Sequence, residues 1–483
     1  MATPARLRDV LPDATELALL FAARGLACLA AWHSGFRALS DDDYSRIAIA
    51  QHFAVAPSFD PSGTSWLPAP FWLYGAVFRL FGTELAVARA TAIALALCAT
   101  VLVYVAARLL GGGRFAALLG AVLSCWLVQY SVILGVAWVP ELPCAGLLVF
   151  GVATLARTEP KLRLLGGLAL LAASLSRYEA WPVAVVFAAY CAWDALRVRE
   201  TPVVGALLLA LAGPAAWLLV GRIEHQDALF FVARVTSYRR ALGVAPVSLV
   251  RAVLEFPRLL MWDALGLWSV LLMLSVFSRQ RPRLGAMSWG RAALALACLL
   301  LFLMWGTTRD GVPTHHAARV LLPLWFLACI ATGQLIASFS SERFNVRIGV
   351  VLAFVGGQLF FSRGPAPGGE CAPRSLELEA GRAARQFADA PLAIDTPDYG
   401  YFAVKAAFGP RPASYPLDDH DPRRPPLHPF ASPAALQQAL GQLGTPLVLL
   451  TTEHAALLDP GCAKLWQNTG FALFRCAPPA ASR

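Results

Sequence analysis

Long apolar runs alternate with short basic segments over the first three quarters of the chain. A helix that crosses a lipid bilayer needs roughly 20 mainly apolar residues, and the pattern predicts about eleven such helices. They fall near residues 14–35, 84–108, 115–135, 139–156, 164–176, 181–196, 203–221, 261–278, 291–306, 320–338 and 347–361. The first run has no clear small-residue cleavage site after it, so we interpret it as a spanning helix and not as a signal peptide.

The predicted short loops on one side of the membrane are all basic. Because Lys and Arg collect in cytoplasmic loops, this pattern places the N-terminus inside. The inside loops carry Arg6 and Arg8, Arg108 and Arg114, Arg157, Lys161 and Arg163, Arg197 and Arg199, Arg279, Arg281 and Arg283, and Arg343 and Arg347. The opposite face receives the longer loops 36–83 and 222–260. We therefore expect the chemically richer loops on the outer side of the membrane. The Ala/Arg/Leu/Pro-rich composition is typical of a high-GC bacterium, for which this would be the periplasmic side of the inner membrane.

Composition supports the membrane assignment and excludes other classes. The chain is 58% hydrophobic and 14% charged, whereas soluble domains are about 45–50% apolar and about 25% charged. The net charge of +10 comes from arginines scattered between apolar runs, which argues against a nucleic-acid-binding surface. The sequence contains no GxxxxGK[ST] phosphate loop, so direct use of ATP is not expected.

The composition changes after about residue 361. A Gly/Pro-rich linker at Arg363–Gly369 leads into a tail with mixed helix and strand patterns. Helical periodicity covers Leu376–Phe387 and Ala434–Leu443, and buried strands are predicted at Pro391–Asp395 and Leu447–Thr451. We expect two domains, a transmembrane domain over residues 1–361 and a small exported α/β domain over residues 362–483.

Cysteine usage agrees with an exported tail. Seven of the ten cysteines lie in apolar spans, and the other three are Cys371, Cys462 and Cys476. Disulfides persist in oxidising compartments outside the cytoplasm. A Cys462–Cys476 bridge around a hairpin-like stretch is favoured, and Cys371–Cys462 is the alternative.

The first outer loop opens on three consecutive carboxylates, Asp41–Asp43. They are either a charged interfacial helix cap or a general base, with or without a divalent cation. Helical spacing continues through Tyr44 to Gln51, which predicts a helix along the membrane surface. Further on, Trp66 and Trp72 are typical interface anchors, and contact of Tyr44, Trp66 and Trp72 with a sugar ring or a lipid chain is the alternative.

A carboxylate at the outer end of a span is costly and indicates function. Glu141 lies at the outer end of the predicted fourth helix, where an acid beside apolar segments is expensive unless it is used. We therefore include Glu141 among the candidate catalytic residues.

These features together resemble the GT-C superfamily of glycosyltransferases. Within it, the chain is similar to protein O-mannosyltransferases and to aminoarabinose transferase-like bacterial enzymes. The shared elements are Asp41–Asp42, the stretch SWLPAPFWLY, FRLFG at Phe78–Gly82, Arg89, SRYEAWP at Ser176–Pro182 and HHAARVLLP at His315–Pro323. The superfamily usually has two acids in the first loop, whereas this chain has three.

The resemblance implies a polytopic GT-C-like fold and transfer of a sugar from a polyprenyl-phosphate donor to a hydroxyl acceptor, with inversion. Asp41 is the favoured general base and Asp42 the next, and Glu141 orients the acceptor or a cation. Outward-facing cations would stabilise the leaving phosphate, and the candidates are Arg177, Arg239, Arg240, His315, His316 and Arg319. The two adjacent histidines have no evident third ligand, so no metal site is assigned.

Three alternatives remain open at this point. A flippase or transporter of lipid-linked sugars would need charges within the spans and inverted repeats. A polysaccharide polymerase or ligase would instead depend on arginines in late outer loops. A scaffold without catalytic activity would only present the exported domain. The sequence identifies neither the sugar nor the acceptor.

Overall fold

The computed structural model describes residues 7–198, 201–243, 248–277, 286–311, 316–338, 373–424 and 428–476. The predicted span 347–361, the linker Arg363–Gly369, Cys371 and His315 lie outside these ranges, as does the boundary predicted between the two domains.

All regular secondary structure of the membrane part is helical over its described residues, and a short helix at Leu7–Val10 precedes the others. Its helices are α1 (Ala14–His33), α2 (Asp41–Val55), α3 (Ala69–Phe81), α4 (Leu85–Leu109), α5 (Arg114–Trp126), α6 (Gln129–Ile133), α7 (Glu141–Ala153), α8 (Pro160–Ser174), α9 (Ala180–Val198), α10 (Thr201–Glu224), α11 (Phe230–Ala241), α12 (Leu249–Trp262), α13 (Leu265–Phe277), α14 (Ala286–Asp310) and α15 (Leu322–Ser338).

Five helical segments in the described ranges are long and apolar enough to cross a bilayer, and α12 with α13 would make a sixth if they form one span bent by 72°. The five segments are Ala14–His33, Leu85–Leu109, Pro202–Glu224, Trp289–Asp310 and Ala317–Ser338. The prediction of an α-helical membrane protein is confirmed, while the number eleven stays a prediction. The long outer loop expected at 222–260 contains α11 and most of α12.

The apolar run at 115–135 is not one helix, and a buried arginine contacts the backbone of its second part. Arg24 in α1 is fully buried, and its guanidinium donates to the Ser131 carbonyl at 2.7 Å and to the Thr100 hydroxyl at 2.9 Å. Val128, in an extended conformation, separates α5 from α6, and the Ser131 carbonyl that Arg24 contacts lies within the short α6. The guanidinium is thereby hydrogen-bonded inside the bundle, as a charge at membrane depth requires.

Small residues allow the helices to approach closely. A Cβ atom on Gly146 of α7 would lie 2.8 Å from the Cα atom of Ala99 in α4, and one on Gly333 of α15 would lie 2.6 Å from the carbonyl oxygen of Ala116 in α5. Such contacts bring backbones together where water supplies no driving force.

The first outer loop folds as α2 and α3, and it lies between the bundle and the exported domain. Tyr44, Phe71 and Phe78 are buried in one apolar cluster with Ala403 and Ala406 of the tail. The Gln51 amide donates to the carbonyls of Thr83 (2.8 Å) and Ala406 (2.9 Å). The loop predicted at 36–83 is therefore an ordered layer.

The tail forms the predicted small α/β domain. Its sheet has the order β2-β1-β3-β5-β4, with β1 parallel to β2 and β3 and with β5 antiparallel to β3 and β4. The elements are α16 (Ser375–Arg385), β1 (Leu392–Ile394), α17 (Tyr401–Phe408), β2 (Ser414–Pro416), α18 (Pro433–Leu443), β3 (Leu447–Thr451), β4 (Ala463–Gln467) and β5 (Phe471–Arg475). A Cys462–Cys476 disulfide brackets the β4–β5 hairpin, so the favoured pairing is confirmed.

Candidate active site

The three aspartates form the first turn of α2, directly after Ser40 at the helix N-cap. Carboxylates are favoured there because the helix dipole is positive at its N-terminus. Successive residues of a helix point about 100° apart, so three adjacent side chains enter three different surroundings.

Asp41 is engaged by the exported domain. Arg374 donates from Nε (2.9 Å) and Nη2 (2.8 Å) to its two carboxylate oxygens, which makes a bidentate pair. The same guanidinium contacts Asp398 at 2.9 Å and Glu377 at 3.1 Å. These carboxylates raise the pKa of Arg374 above its usual range despite partial burial. The ion pair connects α2 to the beginning of α16.

We expect this ion pair to couple the two parts of the chain energetically. In a double-mutant cycle of Asp41→Asn and Arg374→Gln, thermal unfolding of purified protein should give a coupling of about 1–3 kcal/mol. The matched control is Arg385–Glu84, which also joins the two parts but is 40% and 58% exposed, so its coupling should not exceed about 1 kcal/mol. Equal coupling in both cycles would contradict a special role for Arg374.

Asp43 is fully buried, and its carboxylate binds backbone amide groups. Its carboxylate accepts from the amide nitrogens of Trp138 (2.8 Å), Leu39 (3.2 Å) and Ser40 (3.4 Å). Burial raises the pKa of Asp43 to about 6, and these amide donors together with the charge of Arg89 oppose the increase. Asp43 thus holds the segment before α7 against the beginning of α2.

The raised pKa of Asp43 predicts a pH dependence of stability. A carboxyl group that binds protons more tightly in the folded chain stabilises it most below the unfolded pKa of about 4, and that contribution is lost as pH rises through about 6. Across this window, the free energy of unfolding of the wild type should decrease by up to about 3 kcal/mol relative to that of Asp43→Asn. The difference between their melting temperatures, followed from pH 4 to 7, measures it. The exposed control Glu453→Gln should reproduce the wild-type profile.

Asp42 differs from both neighbours in its surroundings. It is partly exposed and makes no hydrogen bond or ion pair with any residue in the described part of the chain. Arg46 lies four residues on, so it shares a helix face with Asp42. Burial lowers the pKa of Arg46 to about 10, while the negative charges of Glu141 and Asp42 oppose the decrease.

Two guanidinium groups contact the carboxylate of Glu141. Its side chain is 2% exposed, and its Oε1 atom lies 3.0 Å from Nη1 of Arg177 and 3.0 Å from Nε of Arg319. Neither contact has hydrogen-bond alignment. Arg177 also pairs with Glu179 at 2.6 Å, and its pKa lies above its usual range because the two carboxylates outweigh burial. Glu141 therefore gathers cations from two separate segments.

Arg319 reaches Glu141 from a short 3₁₀ turn, Ala317–Leu321. His316, immediately before this turn, has a φ of 47° in the left-handed region. That conformation is uncommon for a residue with a side chain and is concentrated at functional sites. The turn leaves the two terminal nitrogens of Arg319 without a hydrogen bond to described residues.

The third cation of the cluster is Arg46, which is 6% exposed. Its guanidinium lies 4.2 Å from the centre of the Trp66 ring, and Trp66 stacks on Phe71 with ring centres 6.1 Å apart. Its Nε atom is buried without a hydrogen bond, and no carboxylate within the described ranges forms an ion pair with it. Arg46 is thus held by ring contact, and its guanidinium donates to none of the residues that the structure describes.

The remaining predicted residues lie elsewhere or act structurally. Tyr44 donates to the Pro373 carbonyl at 3.1 Å, and Trp72 donates to the Ser58 carbonyl at 3.4 Å. Arg239 donates to the carbonyls of Asp310 (3.1 Å) and Gly311 (2.8 Å). Arg240 is exposed and has no side-chain partner among described residues, His316 is buried beside Tyr130, and His315 is not described.

Sequence reasoning missed Arg46 and Arg374. The i, i+4 spacing from Asp42 to Arg46 could have indicated the first. Nothing local indicates the second, because Asp41 and Arg374 are 333 positions apart.

The fold is shared with lipid-phosphate-binding membrane proteins. ArnT from Cupriavidus metallidurans bound to undecaprenyl phosphate aligns with a TM-score of 0.62 and 15% identity, over 97% of this chain and 99% of that one. Its apo state gives 0.61 and 14%, over 95% and 98%. The archaeal oligosaccharyltransferase AglB from Archaeoglobus fulgidus, in complex with an inhibitory peptide and a dolichol-phosphate, gives 0.51 and 15%, over 96% and 74%. No family model and no curated protein matches the sequence.

These likenesses confirm the predicted resemblance at the level of the fold. The chain is an integral membrane protein with the GT-C fold, followed by a small α/β domain.

Proposed function

We propose that this chain is a glycosyltransferase that moves a sugar from a polyprenyl-phosphate-linked donor to a hydroxyl acceptor on the outer face of the membrane. Structural neighbours that hold undecaprenyl phosphate or dolichol-phosphate support the donor class. We further propose residues 1–361 as the catalytic domain and residues 362–483 as an exported domain. The acceptor is a glycan, a lipid or a protein hydroxyl, and the sugar is a hexose or a pentose.

One observation carries the proposal: Arg46, Arg177 and Arg319 surround a buried Glu141 beside Asp42, whose carboxylate has no hydrogen bond or ion pair within the described residues. The charges of the three guanidinium groups are balanced by Glu141, Glu179 and Asp42, but the cluster keeps guanidinium donors that bond to no described residue. A phosphate group bearing a lipid chain fits such a site, because guanidinium donors match phosphate oxygens. A structural ion-pair network would not need guanidinium donors on Arg46 and Arg319 that bond to no residue in the described ranges.

Asp42 is the base that the geometry favours, since Arg374 occupies Asp41. In the proposed step, Asp42 takes the proton of the acceptor hydroxyl as its oxygen attacks the anomeric carbon. The new carbon–oxygen bond forms as the bond from that carbon to the phosphate oxygen breaks, with inversion. The polyprenyl phosphate leaves with an added negative charge, which the arginines stabilise. Asp42 then returns its proton to water.

The test is mass spectrometry of the cell-envelope glycans, lipids and proteins of a deletion strain. We expect one sugar modification to vanish and to return with the wild-type chain, but not with Asp42→Asn at equal expression. The exposed control Glu453→Gln should restore it. An unchanged envelope would argue against the transferase and for a scaffold, whereas a modification that is lost in the deletion strain but restored by Asp42→Asn would argue for a flippase.

A further inference from the structure

A second cluster of ligating side chains joins the first outer loop to the end of α10. Asp60, Glu224 and His225 each present one ligand atom, and these three atoms lie within 4.8 Å of one another. Asp60 comes from the loop between α2 and α3, whereas Glu224 and His225 come from the other segment. None of the three belongs to the arginine cluster.

Two of the three ligand atoms, those of Asp60 and His225, are buried without hydrogen bonds. The Asp60 side chain is 4% exposed, and both its Oδ2 atom and the Nε2 atom of His225 are buried with no hydrogen-bond partner. Leaving such polar atoms unsatisfied costs about 1–3 kcal/mol each. Two neighbouring ligand atoms that are both buried and unsatisfied favour a ligand bound between them.

Their separation matches a shared metal better than a direct contact. Oδ2 of Asp60 and Nε2 of His225 are 3.5 Å apart, beyond the usual hydrogen-bond range of about 2.7–3.2 Å. With Zn–N and Zn–O distances of about 2.0–2.2 Å, two tetrahedral ligands stand roughly 3.4 Å apart. The observed spacing is therefore that of two ligands of one tetrahedral ion.

The surrounding contacts fix both ligands in place. The other oxygen of Asp60, Oδ1, accepts from the amide nitrogens of Ser62 (3.1 Å) and Gly63 (3.0 Å), which aims Oδ2 at His225. The imidazole of His225 stacks on Phe230 with ring centres 3.9 Å apart. Outer contacts of this kind orient the ligands of metal sites.

We propose that Asp60, Glu224 and His225 bind one Zn²⁺ ion, with water as the fourth ligand. One imidazole with two carboxylates is a ligand set that zinc accepts, and the imidazole disfavours Mg²⁺ and Ca²⁺. The ion connects the loop 60–66 to the end of α10 by binding side chains from both. That loop carries Trp66, whose ring contacts Arg46. The role is structural, and the proposal does not depend on the proposed reaction.

The experiment measures metal directly, on full-length protein without a histidine tag. After chelation and dialysis, the wild type should take up one Zn²⁺ per chain from ZnCl2, with a raised melting temperature. Asp60→Asn and His225→Ala should each lower the affinity by more than the ~10–100-fold typical of losing an outer-shell partner. His33→Ala, which removes an exposed histidine elsewhere, should bind zinc like the wild type.

A folding defect in these variants is controlled by Glu224→Gln, because Glu224 is exposed and contributes to no core. Glu224→Gln should keep the melting temperature of the metal-free protein and still lose zinc affinity. The proposal is overturned if the wild type takes up no zinc, if it prefers Mg²⁺ or Ca²⁺, or if all three ligand variants bind zinc as the wild type does.

Discussion

Asp42→Asn should lower the rate of sugar transfer by about 10²–10⁴-fold, the usual contribution of a positioned general base. The loss should appear in kcat more than in KM, because the proton moves only in the transition state. Stability should change by no more than about 0.5 kcal/mol, since the carboxylate of Asp42 has no partner within the described residues. Transfer in proteoliposomes and thermal unfolding of the same preparation measure the two effects.

The neighbouring variant Asp41→Asn is the matched control, and it should behave in the opposite way. It removes the bidentate pair with Arg374, so we expect lower stability with most of the transfer rate retained once the protein is folded. A stable Asp41→Asn protein that transfers no sugar, beside an active Asp42→Asn protein, would assign the base to Asp41 as the family resemblance implies.

The difference between these two aspartates shows where sequence reasoning stops. Hydrophobic periodicity predicts the helices, and the strands at 391–395 and 447–451 follow from short apolar runs. The same pattern cannot say which way each side chain of an acidic triplet points relative to a domain more than 300 residues away. Arg374 decides that question, and its contact with Asp41 exists only after the tail has packed against α2.

The membrane helices illustrate the same limit from another side. Apolar length predicts a single span at 115–135, but the chain interrupts it, and Arg24 contacts the Ser131 carbonyl beyond the interruption. The arginine was visible in the sequence, whereas its partners on α4 and α6 were not. Polar residues inside apolar runs therefore mark the positions where a prediction based on length is least safe.

The convergence on Glu141 could be anticipated only in part. From the sequence, the cost of burying a carboxylate indicates Glu141. The need to stabilise the negative charge of the leaving phosphate indicates Arg177 and Arg319 as candidates. Their meeting at one oxygen atom depends on how α7, the turn before α9 and the 3₁₀ turn pack together. Sequence alone ranked Arg239 beside them, yet its guanidinium contacts the carbonyls of Asp310 and Gly311.

Replacing Arg177 or Arg319, the two arginines that contact Glu141, by Gln should destabilise the protein to different extents. Arg177 separates two carboxylates, with Glu141 at 3.0 Å and Glu179 at 2.6 Å. Arg177→Gln leaves these acids facing each other without their shared cation, so we expect a loss of about 3–5 kcal/mol in stability. Arg319→Gln leaves Glu141 paired with Arg177 and should cost less, on the order of 1–3 kcal/mol.

Binding of the lipid separates a phosphate site from a purely structural cluster. Undecaprenyl phosphate titrated into the purified, folded Arg319→Gln protein, and followed by native mass spectrometry, should bind about 10–100-fold more weakly than to the wild type, as the loss of one charged hydrogen bond predicts. Arg240→Gln is the control, because Arg240 is exposed and unpaired in the described structure, and it should change neither stability nor binding. Wild-type affinity in Arg319→Gln would mean that Arg319 serves only to neutralise Glu141, and the donor phosphate would have to be sought elsewhere on the outer face.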